Sequence, residues 1–222
     1  MKLKGFKNIA KEKDGLITFN NLFWLFLIGS VMGVIIEGVY CIVTKGKWES
    51  HVISACLPFN ALYGMGAVLF YVGAVKLKEK KLWIRIISMT VAATFLELIC
   101  GLFLRDFLGM RAWNYAHHFM NFKGLICLEF SLAWAVAALC FCKLYPYISK
   151  FLIMISNKKQ NCFCVIGSAV LVMDMLLAGI FIIRWSDRHY GFKAETKFEK
   201  ELDIEAPDEW MESRFMDWHF LE

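Results

Sequence analysis

Five long apolar runs alternate with short polar stretches along the chain, at about 19–43, 56–75, 82–104, 122–144 and 161–184. Each holds about 20 residues or more, enough to cross about 30 Å of hydrocarbon at 1.5 Å per residue. No stretch alternates apolar and polar residues at period two, so barrel strands are not indicated. Helices remain as the backbone form that satisfies its own polar groups in lipid. The first run does not read as a cleaved leader: it is too long, holds Glu37 and lacks a small-x-small cleavage site. The predicted fold is all-α, a polytopic membrane helix bundle with about five transmembrane helices over residues 19–185. A basic arm, 1–18, precedes it, and a polar tail, 186–222, follows. In that tail Pro207, Asp208 and Glu209 form a helix-start pattern, and Trp210, Met211, Phe215 and Trp218 recur at helical spacing. They predict a short amphipathic helix, lying on the outer leaflet or against the bundle.

Composition sharpens the membrane reading. Of 222 residues, 59% are hydrophobic, against about 45–50% in a soluble domain, and the mean hydropathy is +0.51. The net charge of +5 is modest, and its placement matters more than its size. Lys2, Lys4, Lys7, Lys11 and Lys13 precede the first span. Lys76, Lys78, Lys80, Lys81 and Arg85 separate spans two and three, and Lys143, Lys150, Lys158 and Lys159 separate four and five. The opposite loops hold only Lys45, Lys47, Arg105, Arg111 and Lys123. The positive-inside rule then predicts a multi-pass protein of the cell membrane with its N-terminus in the cytoplasm, and five spans put the tail outside. Six basic residues from Arg184 onward soften that contrast. The basic arm suits anionic lipid headgroups. No basic run is interleaved with aromatic residues as a nucleic-acid surface would be. There is no P-loop and no GxGxxG.

Candidate chemistry lies in the acids. Glu37, Glu97, Glu129 and Asp174 fall inside four different spans. An ionisable group there costs at least about 2.5–3.5 kcal/mol and usually faces the bundle interior or a wet cavity. Counted from the cytoplasmic edge, all four lie at or above the midplane, so they could converge on one outward-facing polar pocket. Glu37 follows Gly29 and Gly33 at four-residue steps, and Gly101 follows Glu97 at the same step. Small residues on those faces would let spans one and three pack closely and bring Glu37 and Glu97 together. Asp174 reads better as structural. The outer loop 105–121 carries Trp113, Asn114, Tyr115, His117, His118 and Asn121. An aromatic belt accounts for the Trp and Tyr, but not for adjacent histidines flanked by asparagines. The eight cysteines include Cys140-x-Cys142 and Cys162-x-Cys164. Residues i and i+2 of a helix point roughly 200° apart, so neither pair chelates one metal. No metal or cofactor is expected.

The segments "GVIIEGVYC", "LPFNALYGMGA", "FLELICGLF" and "RAWNYAHHFMNFKGLICLEFSLAW", in that order, resemble a family of small bacterial membrane proteins, the ABC-transporter permeases of type IV (CmpB-like). The resemblance covers about residues 20–185. It places Glu37, Tyr40, Cys41, Pro58, Tyr63, Gly64, Gly66, Glu97, Gly101, Trp113, Tyr115, Asn121 and Gly124 on the family's pattern. The chain departs from that pattern at His51, Val52 and Ile53, where Asn-Arg-Gly is usual, and at Ala61, Asn114 and Leu125. The resemblance implies a transporter permease or transport-associated subunit; the acids and the outer loop, read from the residues, then place Glu37, Glu97, Glu129, Trp113, Asn114, Tyr115, His117 and Asn121 at its candidate substrate or coupling site. It also implies a separate ATPase subunit, since the chain carries no nucleotide-binding motif. Two alternatives stand beside it: a regulatory or assembly subunit without substrate, and an intramembrane enzyme acting on a lipid or lipid-linked substrate. In the latter a carboxylate would serve as base and His117 or His118 as its partner.

Overall fold

A computed structural model describes residues 17–155 and 161–221. Most of the basic arm, and Lys158 and Lys159, lie outside the described residues. The long helices are α1 (Phe19–Lys45), α2 (Ala61–Lys76), α3 (Leu82–Leu108), α4 (Leu128–Ile155) and α5 (Asn161–His189). All but α2 are long and apolar enough to cross a membrane. Thr18 opens α1 by accepting from the Asn21 amide at 3.3 Å, and Gly46 closes it in the left-handed conformation. Helix α1 packs chiefly on α2, and α3 on α4.

The second predicted span is shorter than its apolar run. Residues 56–60 are not helical, and α2 begins only at Ala61. Pro58 has no amide proton and biases its predecessor away from helix, while the Asn60 side chain caps α2 at the Leu62 amide, 3.0 Å away. The preceding segment, 51–60, re-enters the bundle. The Asn60 amide donates to the Ser30 carbonyl, well inside α1, at 3.2 Å, and Phe59 is buried against Phe23, Cys164 and Leu171. Irregular backbone at this depth is stable only where protein, not lipid, surrounds it.

Small residues set the α1–α2 approach. A Cβ at Gly33 would overlap the Cβ and ring of Tyr63, and one at Gly64 would meet Ser30 Oγ and the Phe26 carbonyl. The Gly29–Gly33–Glu37 face therefore meets α2, not α3. Gly101 instead faces Trp113 and Leu125 of the loop after α3. The close packing of spans one and three expected from these glycines gives way to α2 and α4 standing between them.

The loops 46–60 and 109–127 and the tail gather at one end of the bundle. Within the tail, α6 (Lys197–Glu205) starts with a capping box between Thr196 and Glu199. Helix α7 (Asp208–Arg214) follows Pro207. Met211, Phe215 and Trp218 are buried with Ala178, Ile182 and Trp185 of α5, so α7 lies against the bundle. Strand β1 (Met110–Arg111) pairs antiparallel with β2 (His219–Phe220), closing the chain's end on the loop after α3. Arg184 donates to Asp203 at 2.8 and 2.9 Å, and Arg188 donates to Asp203 and Asp208 at 2.7 Å.

Candidate functional site

Glu97 is buried, about three turns before the end of α3. Its two oxygens are both engaged. The Tyr115 hydroxyl donates to Oε1 and the Trp134 indole N–H to Oε2, each at 3.0 Å. Tyr115 comes from the loop 109–127, which must fold back into the bundle to reach it. Stacking of Tyr115 on Phe130, with centroids 4.4 Å apart, holds the ring in place. Burial, reinforced by the Glu97 carboxylate, keeps the Tyr115 phenol well above its ordinary pKa, so it remains a donor.

Glu37 is half-buried two turns before the end of α1 and accepts from the Tyr63 hydroxyl. The Tyr63 ring lies 6.2 Å from that of Trp134. The polar chain is thus Glu37, Tyr63, Trp134, Glu97, Tyr115, with one aromatic contact at its centre. The two acids are joined through α2 and α4 rather than by direct approach of their own helices.

The other predicted residues are placed differently. Glu129 is in the first turn of α4, exposed, with His118 Nδ1 at 2.8 Å. Its predicted depth followed from drawing span four from residue 122, whereas the helix begins at 128. His117 is exposed. Trp113 donates to the Leu125 carbonyl at 2.8 Å. Asn121 donates to the Ala116 and His118 carbonyls at 3.0 Å and accepts from the Gly124 amide. Asn114 Oδ1 accepts from the Ala116 amide, and Gly124 has φ +69° with a hypothetical Cβ 2.9 Å from that same oxygen. A side chain at 124 would be both strained and obstructed. These three residues shape the loop that delivers Tyr115. Asp174 accepts from the Cys56 amide at 2.8 Å and so braces the re-entrant segment, away from Glu37 and Glu97. The four acids divide among separate places, with only Glu37 and Glu97 linked.

Residues outside the sequence-predicted set complete the region. His51 Nδ1 lies 3.0 Å from Asp217 Oδ2 and 4.0 Å from Glu37 Oε1. Burial disfavours the charged imidazole, but the Asp217 hydrogen bond and the neighbouring acids outweigh it and raise the His51 pKa. Burial raises that of Asp217, with His51 partly offsetting it. Arg214 donates to the Ser54 and Leu57 carbonyls at 3.0 and 2.5 Å, tying the tail to the re-entrant segment. Nothing local in the sequence pairs residues 51 and 54 with 217 and 214. Tyr63 was legible only through the family resemblance, without a role, and Trp134 only as an aromatic of an apolar run.

A cavity of about 600 Å³ lies under the tail, between Trp185, His189, Trp218 and Phe220. A shallower one of about 340 Å³ lies along α3, lined by Thr94, Leu98 and Ser131. Neither is lined by Glu37 or Glu97.

A family model described as "Putative ABC-transporter type IV" matches residues 24–178. No curated protein and no solved structure matches the chain.

Proposed function

The chain belongs to the family described as "Putative ABC-transporter type IV", and from that premise we propose that it is the membrane-embedded subunit of a transport system. Its N-terminus lies in the cytoplasm, its two re-entering loops and tail form an outer cap, and Glu37 and Glu97 form the coupling site. The observation that carries this reading is the chain of donors between the two acids. Tyr63, Trp134 and Tyr115 hold two carboxylates in fixed geometry inside a bundle where such groups are costly and are kept for function. Glu97 accepts only from neutral donors, and Glu37 has beside its Tyr63 bond only the titratable His51 at 4.0 Å, so neither carboxylate is locked to a permanent counter-charge by a hydrogen bond and each can exchange a proton or a cation. The Lys/Arg distribution supports the orientation. ATP hydrolysis would come from a separate subunit on the cytoplasmic side, since the chain has no phosphate-binding loop.

A second reading is favoured by one observation: both oxygens of Glu97 are already satisfied and the residue is 4% exposed. That also suits an assembly or regulatory subunit, in which Glu97 staples the loop 109–127 to α3 and α4. The test separates the two. The full chain is purified from its native membrane into lipid nanodiscs under non-dissociating conditions, and ATP hydrolysis by the complex is measured. The transport reading expects a co-purifying ATPase whose turnover falls with Glu37→Gln or Glu97→Gln while the complex stays assembled. Turnover unchanged by both substitutions favours the assembly reading, and no associated ATPase overturns the transport one.

A further inference from the structure

Where α1 leaves the membrane, three metal-ligating side chains from the end of that helix and the loop directly after it meet. They are Cys41, in the last turns of α1, and Glu49 and His51, beyond the Gly46 turn. Cys41 Sγ is 3.3 Å from His51 Nε2 and 3.7 Å from Glu49 Oε2. In a tetrahedral zinc site with Zn–S near 2.3 Å and Zn–N and Zn–O near 2.1 Å, those edges measure about 3.6 Å. The observed pair straddles that value. We propose that Cys41, Glu49 and His51 form a zinc-binding site at the outer end of α1, with a fourth position open to water.

Three further features fit a metal better than an incidental hydrogen bond. Asp217 accepts from His51 Nδ1 at 3.0 Å, which leaves the lone pair of Nε2 directed at Cys41. A carboxylate behind the histidine is the usual support for a zinc-bound imidazole, and here it comes from the tail. The charges also close: one thiolate and one carboxylate neutralise a divalent cation beside the membrane. Thiolate, imidazole and carboxylate together form a donor set suited to zinc. Finally, Cys41 is only 2% exposed, while the Glu49 and His51 side chains are each 12% exposed, so the site is shielded yet reachable from the loop side. Glu49 now accepts from Lys45 at 2.5 Å and lies 3.1 Å from Lys47. Both lysines are well exposed and can turn to water when a cation takes their place. Binding deprotonates Cys41 and releases one proton. The inference does not depend on the transport reading.

The test uses the full, tag-free chain in detergent or nanodiscs, loaded with zinc or cobalt and freed of excess metal. The expected result is one zinc per chain by elemental analysis. Cobalt should give a tetrahedral visible spectrum with a thiolate-to-cobalt charge-transfer band, and zinc should remove it. Cys41→Ser should abolish the band, and His51→Gln should lower the zinc content to background. Cys56→Ser, at an exposed thiol, and Cys140→Ser with Cys162→Ser should change neither. Wild-type cobalt spectra need no variant, so a misfolded substitution cannot decide the outcome. No thiolate band in the wild type, or equal zinc content in Cys41→Ser, overturns the site. A band that survives Cys41→Ser but is lost with the Cys140 and Cys162 substitutions overturns it in favour of the cytoplasmic thiols.

Discussion

Replacing Gly33 by Ala should separate α1 from α2, and the structure gives the size of the effect. A Cβ at Gly33 lands on Tyr63 Cβ, which is fixed to the α2 backbone and cannot swing aside, and on the first ring carbon, Cγ. Overpacking of this kind costs about 1–3 kcal/mol. The displaced Tyr63 also loses its bond to Glu37, and hydrogen bonds in membrane bundles average about 0.6 kcal/mol. Against this, Gly→Ala in a helix interior gains roughly 0.8–1.0 kcal/mol. Gly66 is the internal control. A Cβ there meets Trp134 at 3.6 and 3.7 Å, ordinary contact, so Gly66→Ala keeps the propensity gain without the clash. Propensity cancels between the two variants, leaving the clash and the lost bond together, a difference of about 2–4 kcal/mol in favour of Gly66→Ala. Unfolding in mixed micelles of rising dodecyl sulfate content, followed by far-ultraviolet circular dichroism, measures it. Equal midpoints for the two variants would refute the close approach and, with it, the geometry that presents Tyr63 to Glu37.

Three other outcomes follow from the same structure. In a background without native thiols, a cysteine at Ser50 should react with an impermeant reagent from outside, and one at Glu79 should not; the reverse pattern inverts the orientation. Arg214→Gln removes charge-assisted bonds to the Ser54 and Leu57 carbonyls, each worth about 1.5–3 kcal/mol in general. It should speed hydrogen exchange over residues 51–60 while sparing α3; unchanged exchange there means the tail does not brace the re-entrant segment. Hydrogen bonds from Arg184, and from Arg188 after it, hold Asp203 below the usual aspartate range. A depressed carboxylate stabilises the fold fully above its unfolded value of about 3.9, and the contribution fades as pH falls through the lower folded value. Docking of the tail, read by Trp210 and Trp218 fluorescence, should hold constant from neutral pH down to about 4 and weaken only below that; loss well above about pH 4 would show that the Asp203 ion pairs do not set the pH dependence of docking.

The apolar runs were long enough to reveal the bundle because lipid imposes length and composition on every span that crosses it. The Gly29–Gly33–Glu37 face was legible for the same reason: spacing along one helix survives whatever the neighbour is. Which helix it meets was not legible, since glycine permits approach without choosing a partner, and α2 rather than α3 occupies that face. The run at 56–75 hid a break, because residues buried in protein at membrane depth are as apolar as those facing lipid. Pro58 and Asn60 were the local signal. Glu129 appeared deep because the loop 122–127 is apolar enough to pass for helix, although the chain turns there through Lys123 and Gly124, both with positive φ. The contacts of His51 with Asp217 and of Arg214 with Ser54 join positions about 160 residues apart. No helical or strand period carries such information.

The central claim is that Glu37 and Glu97 act as one site through Tyr63 and Trp134. The most direct test is ATP turnover by the assembled complex carrying Glu37→Gln, Glu97→Gln or both, compared with the unaltered complex. Groups that act as a unit are lost as a unit. The account predicts that each single substitution lowers turnover substantially and that the double is little worse than either. Two losses that multiply, in complexes that remain folded and assembled, would show the acids to be independent and contradict it.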